Sequence, residues 1–421
     1  MPASHSSLAP LRVVAPRRSA AGIDARIETH ATALGDARLD PDLRMLTESF
    51  AAGAERADRA AAFGFDNLAA LHAYGLIGAV VPCAAGGGGA TLAHARRIVS
   101  AVARGDPSTA LVLTMSYLVH GTLAAAESRW PAHLRDAVWQ SAIDQGALAN
   151  NLRVEPELGS PARGGMPGTI ARRSADGWRL SGHKLYTTGI PALRWLLVWA
   201  RTDEAEPRVG VFLVPRDPAA AAPGIRVIES WDHLGLRASA SHEVVFDDVA
   251  LPTDHAVDIR PPADWAGGPE PTQHAWMITL LGALYDGIAR AARTWLVGFL
   301  AERRPAGLGA ALSTVPRVQQ TVGEIDALLW ANDTLLTDLA RRSDEGAPPD
   351  AAASGLVKYS VTGNAIRAVD LALQLTGNHG LSRHNPLERH WRDVLCSRIH
   401  TPQNDSILEA SGRSAFASPV R

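Results

Sequence analysis

The feature that most constrains this chain is a double change of hydrophobic period. From about Asp42 to Gln145, apolar residues recur at three-to-four spacing inside Ala-rich runs, as at Leu68, Leu71 and Leu76, then Val99, Val102 and Leu111. From about Ala147 to Ile259 this gives way to short runs of β-formers at residues 195–199, 209–214, 225–228 and 243–246. Turn residues such as Pro215, Asp217 and Pro223 bound them. Residues 174–177 (Ser-Ala-Asp-Gly) read as a hairpin turn between residues 169–171 and 178–180. From about Gln273 the helical spacing returns at length. Val318, Val322, Ile325, Leu328, Leu329, Leu335, Leu336 and Leu339 make one apolar face, and residues 356–375 make another. The Gly/Pro/acid loop from Ser343 to Asp350 joins the two as an antiparallel pair. No helical pattern separates the central strands, so βαβ units are disfavoured, and an antiparallel sheet or small barrel is expected.

The expected fold class is therefore α+β. An N-terminal helical domain over residues 39–146 is followed by a central antiparallel β domain over 147–262 and a C-terminal helical bundle domain over 263–421. Residues 1–38 read as a disordered Ala/Ser/Pro-rich leader. They contain Arg12, Arg17 and Arg18 with no acid before Asp24, but no apolar core of a secretory signal. A length of 421 residues suits two or three packed units.

Composition excludes several functions. With 41 Lys+Arg against 43 Asp+Glu there is no basic excess for nucleic acid. Cys83 and Cys396 are too few for a disulfide scaffold, so a reducing, cytoplasmic setting is expected. The longest apolar stretch, residues 275–300, is broken by Asp286, Arg290 and Arg293 and is not read as a membrane span. One oddity is 11 Trp against 7 Phe, since a buried indole N–H needs a partner.

Local motifs remove further classes. Four glycines at Gly86–Gly89 lack a following Gly-Lys-Ser/Thr, and no Gly-x-Gly-x-x-Gly opens a βαβ unit. Gly-x-Ser-x-Gly is absent, and none of the 15 His forms His-Glu-x-x-His, so no metal site is expected. A dense cluster runs through residues 388–393 and 400–405. Such clusters are usually solvated faces or ion-pair networks. His400, before a Pro turn, is open to three readings on its residues alone: core, surface or acid/base.

Taken in order, these words resemble the acyl-CoA dehydrogenase superfamily over about Leu68 to Arg413. Gly75-Leu76-Ile77 with Val81-Pro82 and the glycine run is similar to its first signature. Residues 154–160 (Val-Glu-Pro-Glu-Leu-Gly-Ser) resemble its flavin loop. Residues 180–188 resemble its Leu-x-Gly-x-Lys-x-x-x-Thr strand. Residues 234–239 and 245–252 match the next two signatures, and 374–380 with Glu388-Arg389 and Arg392-Asp393 match the C-terminal ones. The resemblance implies a C-terminal four-helix bundle and a flavin between the β domain and that bundle, in a homodimer or homotetramer. By position, Asn151, Val154 and Ser160 would line the flavin, Tyr186 and Thr188 would flank its ring, and Gln374 and Gly377 fall in the C-terminal flavin signature.

The departures from the family pattern direct the functional expectation. The dehydrogenases' Glu-Gly-Thr base position is occupied by Thr401-Pro402-Gln403, and the alternative site for that Glu falls near Met277. Neither a hydroxyl nor a thioether removes a proton α to a thioester at neutral pH. His400-Thr401-Pro402 instead resembles the His-x-Pro of the monooxygenase branch, which includes dibenzothiophene monooxygenase. There, flavin reduced by a separate reductase meets O2, and a His beside the ring hydrogen-bonds where charge develops. The resemblance thus makes His400, Asn150 and His120 the candidate catalytic residues. Asn150 reads equally as a turn or cap residue, and His120 reads first as a satisfied core histidine. Tyr117, Trp231 and Trp276 are candidates to wall the substrate pocket. Residues 303–309 keep Arg304, a candidate flavin contact, but lack the family's aromatic and following Gln, which tilts the cofactor toward FMN, with FAD open. The expected activity is a two-component monooxygenase acting on a small, fairly apolar substrate at S, N or C. The alternatives are an acyl-CoA dehydrogenase with a relocated base and a non-catalytic binding subunit.

Overall fold

Acids and prolines set where the helices begin. Asp106 closes one helix and caps the next, accepting the Ser108 N–H at 3.0 Å with Pro107 in the first turn. Glu270 caps the long C-terminal helix in the same way, accepting from Thr272 and Gln273 ahead of Pro271. Asp350 accepts from Ala353 at 2.8 Å. The computed structural model describes residues 36–125, 128–158, 165–265 and 270–417. Most of the expected leader, residues 1–35, lies outside these, and the first helix begins at Asp36, within its last three residues.

The N-terminal region contains α1 (Asp36–Ala60), α2 (Phe65–Ala73), α3 (Leu92–Gly105), α4 (Pro107–Ala124) and α5 (Ala132–Gln145). Gly146 takes the left-handed conformation that ends α5 and turns the chain into the sheet. Eight strands follow: β1 (Leu148–Leu152), β2 (Ile170–Ser174), β3 (Gly177–Thr187), β4 (Leu193–Thr202), β5 (Val209–Pro215), β6 (Ile225–Ile228), β7 (His242–Pro252) and β8 (Ala256–Arg260). The C-terminal region has α6 (Pro271–Glu302), α7 (Pro316–Asp344), α8 (Ala351–Thr376), the single turn α9 (Asn378–Leu381), α10 (Leu387–Leu395) and α11 (Asn404–Ala417). Helices α6, α7, α8 and α10 pack as a bundle, and α6 also packs on α3 and α4. Among the described residues, no helix is long and apolar enough to cross a membrane.

The sheet order is β6-β7-β3-β2-β4-β5-β8, with β1 also paired to β4. The hairpin at Ser174–Gly177 is present as expected, pairing β2 with β3. The sheet is not wholly antiparallel, however. Both β1 and β2 run parallel to β4 and share one of its edges, β1 along Leu193–Val198 and β2 at Arg201 and Thr202. Parallel pairs need a crossover, and here strand β3 and the turn after it supply the connection that a helix makes in a βαβ unit.

The acid that interrupts the apolar run of the bundle's first helix is paired. Asp286, which interrupts the apolar run of α6, is 2% exposed. It accepts from Arg290 at 2.5 Å and Asn332 at 3.1 Å. The indole N–H groups of Trp178, Trp195, Trp265 and Trp391 each find an acceptor, which accounts for much of the Trp excess.

Candidate active site

The sheet contributes one half of the site. Asn150, on β1, is buried and donates its Nδ2–H to the Thr188 carbonyl at 3.0 Å. The Thr188 hydroxyl meets Ser241 Oγ at 2.9 Å, and Ser241 meets Ser239 Oγ at 2.9 Å. The Val154 carbonyl accepts the Leu185 N–H at 2.9 Å, which holds the chain after Asn151 against β3. Tyr186 sits at φ +55° and is 53% exposed. Its ring stands edge-on to Trp231 at 6.4 Å and to His233 at 6.0 Å. Trp231 and His233 stack with centroids 3.6 Å apart and planes 11° apart. The Trp231 indole donates to the Leu236 carbonyl at 3.2 Å. A half-open aromatic patch thus lies beside a buried row of hydroxyls and an amide.

The bundle contributes the other half. His400 lies in the turn between α10 and α11, and its Nδ1 is hydrogen-bonded to the Tyr285 hydroxyl of α6. Burial, helped by the nearby Lys358 ammonium, pushes the imidazole down to about 4. Burial likewise pushes the Tyr285 phenol well above its usual value, with Cys396 and Asp393 acting in the same direction. Both groups are therefore neutral at neutral pH. The two halves meet where the Leu236 N–H donates to Asp393 Oδ1 at 2.7 Å.

The remaining candidates are more scattered. His120 and Tyr117 lie on α4, where Ser116 grips β1 by bonding both the N–H and the carbonyl of Ala149 at 3.0 Å. Tyr117 is fully buried, and its hydroxyl donates to the Leu76 carbonyl at 2.5 Å, so that end of the side chain braces the helical core. His120 is also fully buried, but neither ring nitrogen has a partner among the described residues. It is not a satisfied core histidine; burial pushes it down to about 4. Trp276, on α6, lies against Gly121, where a Cβ would stand 3.2 Å from the indole. Arg304 follows α6, and Gln374 and Gly377 end α8; all three are exposed. They follow or precede the end of the bundle where Phe299 meets His379. Ser160 lies outside the described residues.

Two residues around His400 carry no sequence motif. Tyr285 is one apolar-looking position within α6, and Lys358 is a lone cation on the buried face of α8. That second pattern, a Lys among buried Ser354, Gly355, Val361 and Thr362, is the signal that marks it.

The donor set fits a flavin. Flat, half-open aromatic faces at Tyr186 and Trp231 suit a ring system. The Asn150 amide and the Thr188 hydroxyl supply polar groups next to Tyr186 in the sheet. A mixed sheet between two helical regions carries these groups, an arrangement that suits a flavin-dependent oxidoreductase. Matches to three family models agree: acyl-CoA dehydrogenase N-terminal domain over residues 43–152, middle domain over 154–249 and C-terminal domain over 279–404. The chain belongs to the acyl-CoA dehydrogenase family.

Its relatives point in two directions. A Bacillus subtilis (strain 168) protein named "Putative acyl-CoA dehydrogenase YdbM" is 31% identical over 375 residues, covering 89% of this chain and 95% of its own. The L-evernosamine nitrososynthase of Micromonospora sp. is 32% identical over 380 residues, covering 85% of each. The solved structure of KijD3 with FMN and dTDP-3-amino-2,3,6-trideoxy-4-keto-3-methyl-D-glucose superposes with a TM-score of 0.77 at 27% identity, covering 92% of this chain and 94% of that one.

Proposed function

We propose that the protein is a reduced-flavin-dependent monooxygenase that oxygenates a small molecule, with nitrogen favoured over sulfur and carbon as the atom oxidised. One observation carries this reading. A neutral His400 held by Tyr285 occupies the turn where Thr401 replaces the dehydrogenases' carboxylate base. A neutral imidazole keeps one ring N–H that suits hydrogen-bond donation to developing charge, and burial, by lowering its affinity for a proton, makes it a weak base for an α-proton. The choice of nitrogen is supported by the nitrososynthase relative and by the amino-sugar complex of KijD3.

Reduced flavin, when bound, supplies the electrons for oxygen activation. Tyr186 and Trp231 would hold its ring, Asn150 and Thr188 would fix the strand ends at its site, and His400 would donate a hydrogen bond there. The partly buried Trp276 and Trp231 exclude water from the reacting centre. FMN is favoured, since Arg304 lacks the aromatic and Gln partners of the family's FAD grip, and KijD3 was solved with FMN. The flavin arrives reduced from a separate reductase, and the chain works as a homodimer or homotetramer.

The test is stopped-flow mixing of the reduced-flavin protein with oxygen. A transient spectrum distinct from reduced and oxidised flavin is expected, and His400→Ala should shorten its life and lower turnover. Absence of that transient, together with anaerobic bleaching of the flavin by acyl-CoA thioesters, would establish a dehydrogenase with a relocated base.

A further inference from the structure

The Lys358 side chain is fully buried, yet among the described residues no carboxylate acts on its charge. Its Nζ donates instead to three backbone carbonyls of one turn: His400 at 2.6 Å, Pro402 at 2.6 Å and Ser397 at 3.4 Å. An ammonium has three N–H donors, and this turn takes all of them. Burying a charge against carbonyls alone is costly, and burial pulls Lys358 down to about 8. Such a cost is retained where it fixes something. The turn it clasps carries His400, and the side chain of His400 runs to Tyr285 on the neighbouring helix α6. The Tyr285 phenol is fully buried, and His400 Nδ1 is the acceptor within its reach. If the phenol donates there, Nδ1 must be the unprotonated nitrogen of a neutral ring.

We propose that Lys358 and Tyr285 are positioning residues for His400. Lys358 clasps its turn and disfavours the imidazolium, while Tyr285 occupies Nδ1 so that Nε2 carries the proton and is the donor offered to the reacting centre. The catalytic meaning rests on the monooxygenase reading; the placement of the proton does not. The titratable groups facing the His400–Tyr285 pair are Lys358 on α8, beside the imidazole, and Asp393 and Cys396 at the end of α10, beside the phenol. Asp405 follows in α11. Of these, Lys358 acts directly on the imidazole, and Asp393 and Cys396 act on Tyr285.

Long-range 1H–15N correlation of the full-length, histidine-labelled protein tests this, with the His400 signals identified by their loss in His400→Gln. Nε2 protonation of a neutral ring and a midpoint near 4 are expected in the unaltered chain. Lys358→Gln, which keeps N–H donors and loses the charge, should raise the midpoint by about one unit. Tyr285→Phe should leave a mixture of tautomers. Protonation at Nδ1 in the unaltered chain, or a midpoint unmoved in folded Lys358→Gln, would overturn the proposal. Should Lys358→Gln fail to fold, the unaltered chain and Tyr285→Phe still decide. Failure of the monooxygenase reading would show as a missing transient in stopped flow while the Nε2 proton stays in place. Failure of the positioning would show as the wrong tautomer alongside a normal transient.

Discussion

Asp393 and Leu236 stand 157 residues apart in the chain and are joined by a hydrogen bond from the Leu236 N–H to the carboxylate at 2.7 Å. The same Leu236 receives the Trp231 indole on its carbonyl. One residue thus ties the aromatic patch of the sheet to the helix that leads into the His400 turn. The approach is close: a Cβ on Gly235 would stand 2.4 Å from the Arg392 carbonyl, so only glycine passes there. Asp393→Ala leaves a buried N–H unpaired and should cost about 1–3 kcal/mol in urea unfolding. Asp393→Asn keeps an acceptor and should cost less. An Ala variant as stable as the parent would show that the tie holds nothing.

Acid should weaken the fold, and Asp393 should partly mask that. Burial pushes His120 to about 4, His390 to about 3 and His400 to about 4. A histidine depressed in the folded state takes up its proton mainly on unfolding. Its stability contribution is present above about 6.5 and is lost as the pH falls toward 4. Asp393 works the other way, since burial raises it to about 7. Its contribution is present below the ordinary Asp value and is lost as the pH rises through 7. Three groups oppose one, so stability should rise from pH 4 to 6.5. Asp393→Asn should steepen that rise, as read from urea midpoints across the interval. A flat profile in both proteins would contradict the sign.

His120 should reveal itself through a split between stability and activity. Its two ring nitrogens are buried without partners among the described residues, which costs stability unless something else uses them. Replacement by an apolar residue of similar size removes that cost, so His120→Leu should gain about 1 kcal/mol. If the ring reaches substrate or flavin, turnover or affinity should fall about tenfold, the worth of one ~1.4 kcal/mol contact. Thermal unfolding and steady-state assays of the same preparation decide it. A variant that is more stable and equally active would mark His120 as a core position with no functional share.

What was legible in the sequence was local. Period alone located the helical and β regions, and Ser174–Gly177 announced its hairpin, because both are written within a few residues. The parallel pairing of β1 and β2 along one edge of β4 has no local mark, since register between distant strands is set by packing. Asn150 and Thr188 were both singled out by position, yet their hydrogen bond is visible only when β1 and the end of β3 come together. Lys358 and Tyr285 carry no local mark, because a lone Lys on a helix ordinarily reads as solvated and a Tyr within an apolar run as filler. The structural job of Lys184 was hidden inside a motif.

Lys184 and Glu155 belong to two of the motif-bearing segments, and the fold makes them one buried pair, with Nζ to Oε1 at 2.6 Å. Glu155 also accepts from the Gly168 and Thr169 N–H groups and the Thr169 hydroxyl, and Lys184 also donates to the Trp199 carbonyl at 2.5 Å. Burial opposes the charge on Glu155, but Lys184 and these donors outweigh it and hold the carboxyl below its ordinary value. Burial pulls Lys184 down to about 8 against the pull of Glu155. The pair therefore stays ionised at neutral pH and pins the chain after β1 to β3. Lys184→Met strands a buried carboxylate and should cost about 3–5 kcal/mol. Lys184→Met combined with Glu155→Gln should recover part of that loss, because the second change removes the stranded charge. A double-mutant cycle by urea unfolding reads the coupling. Additive losses would mean that the two residues act separately and that the ion pair contributes nothing of its own.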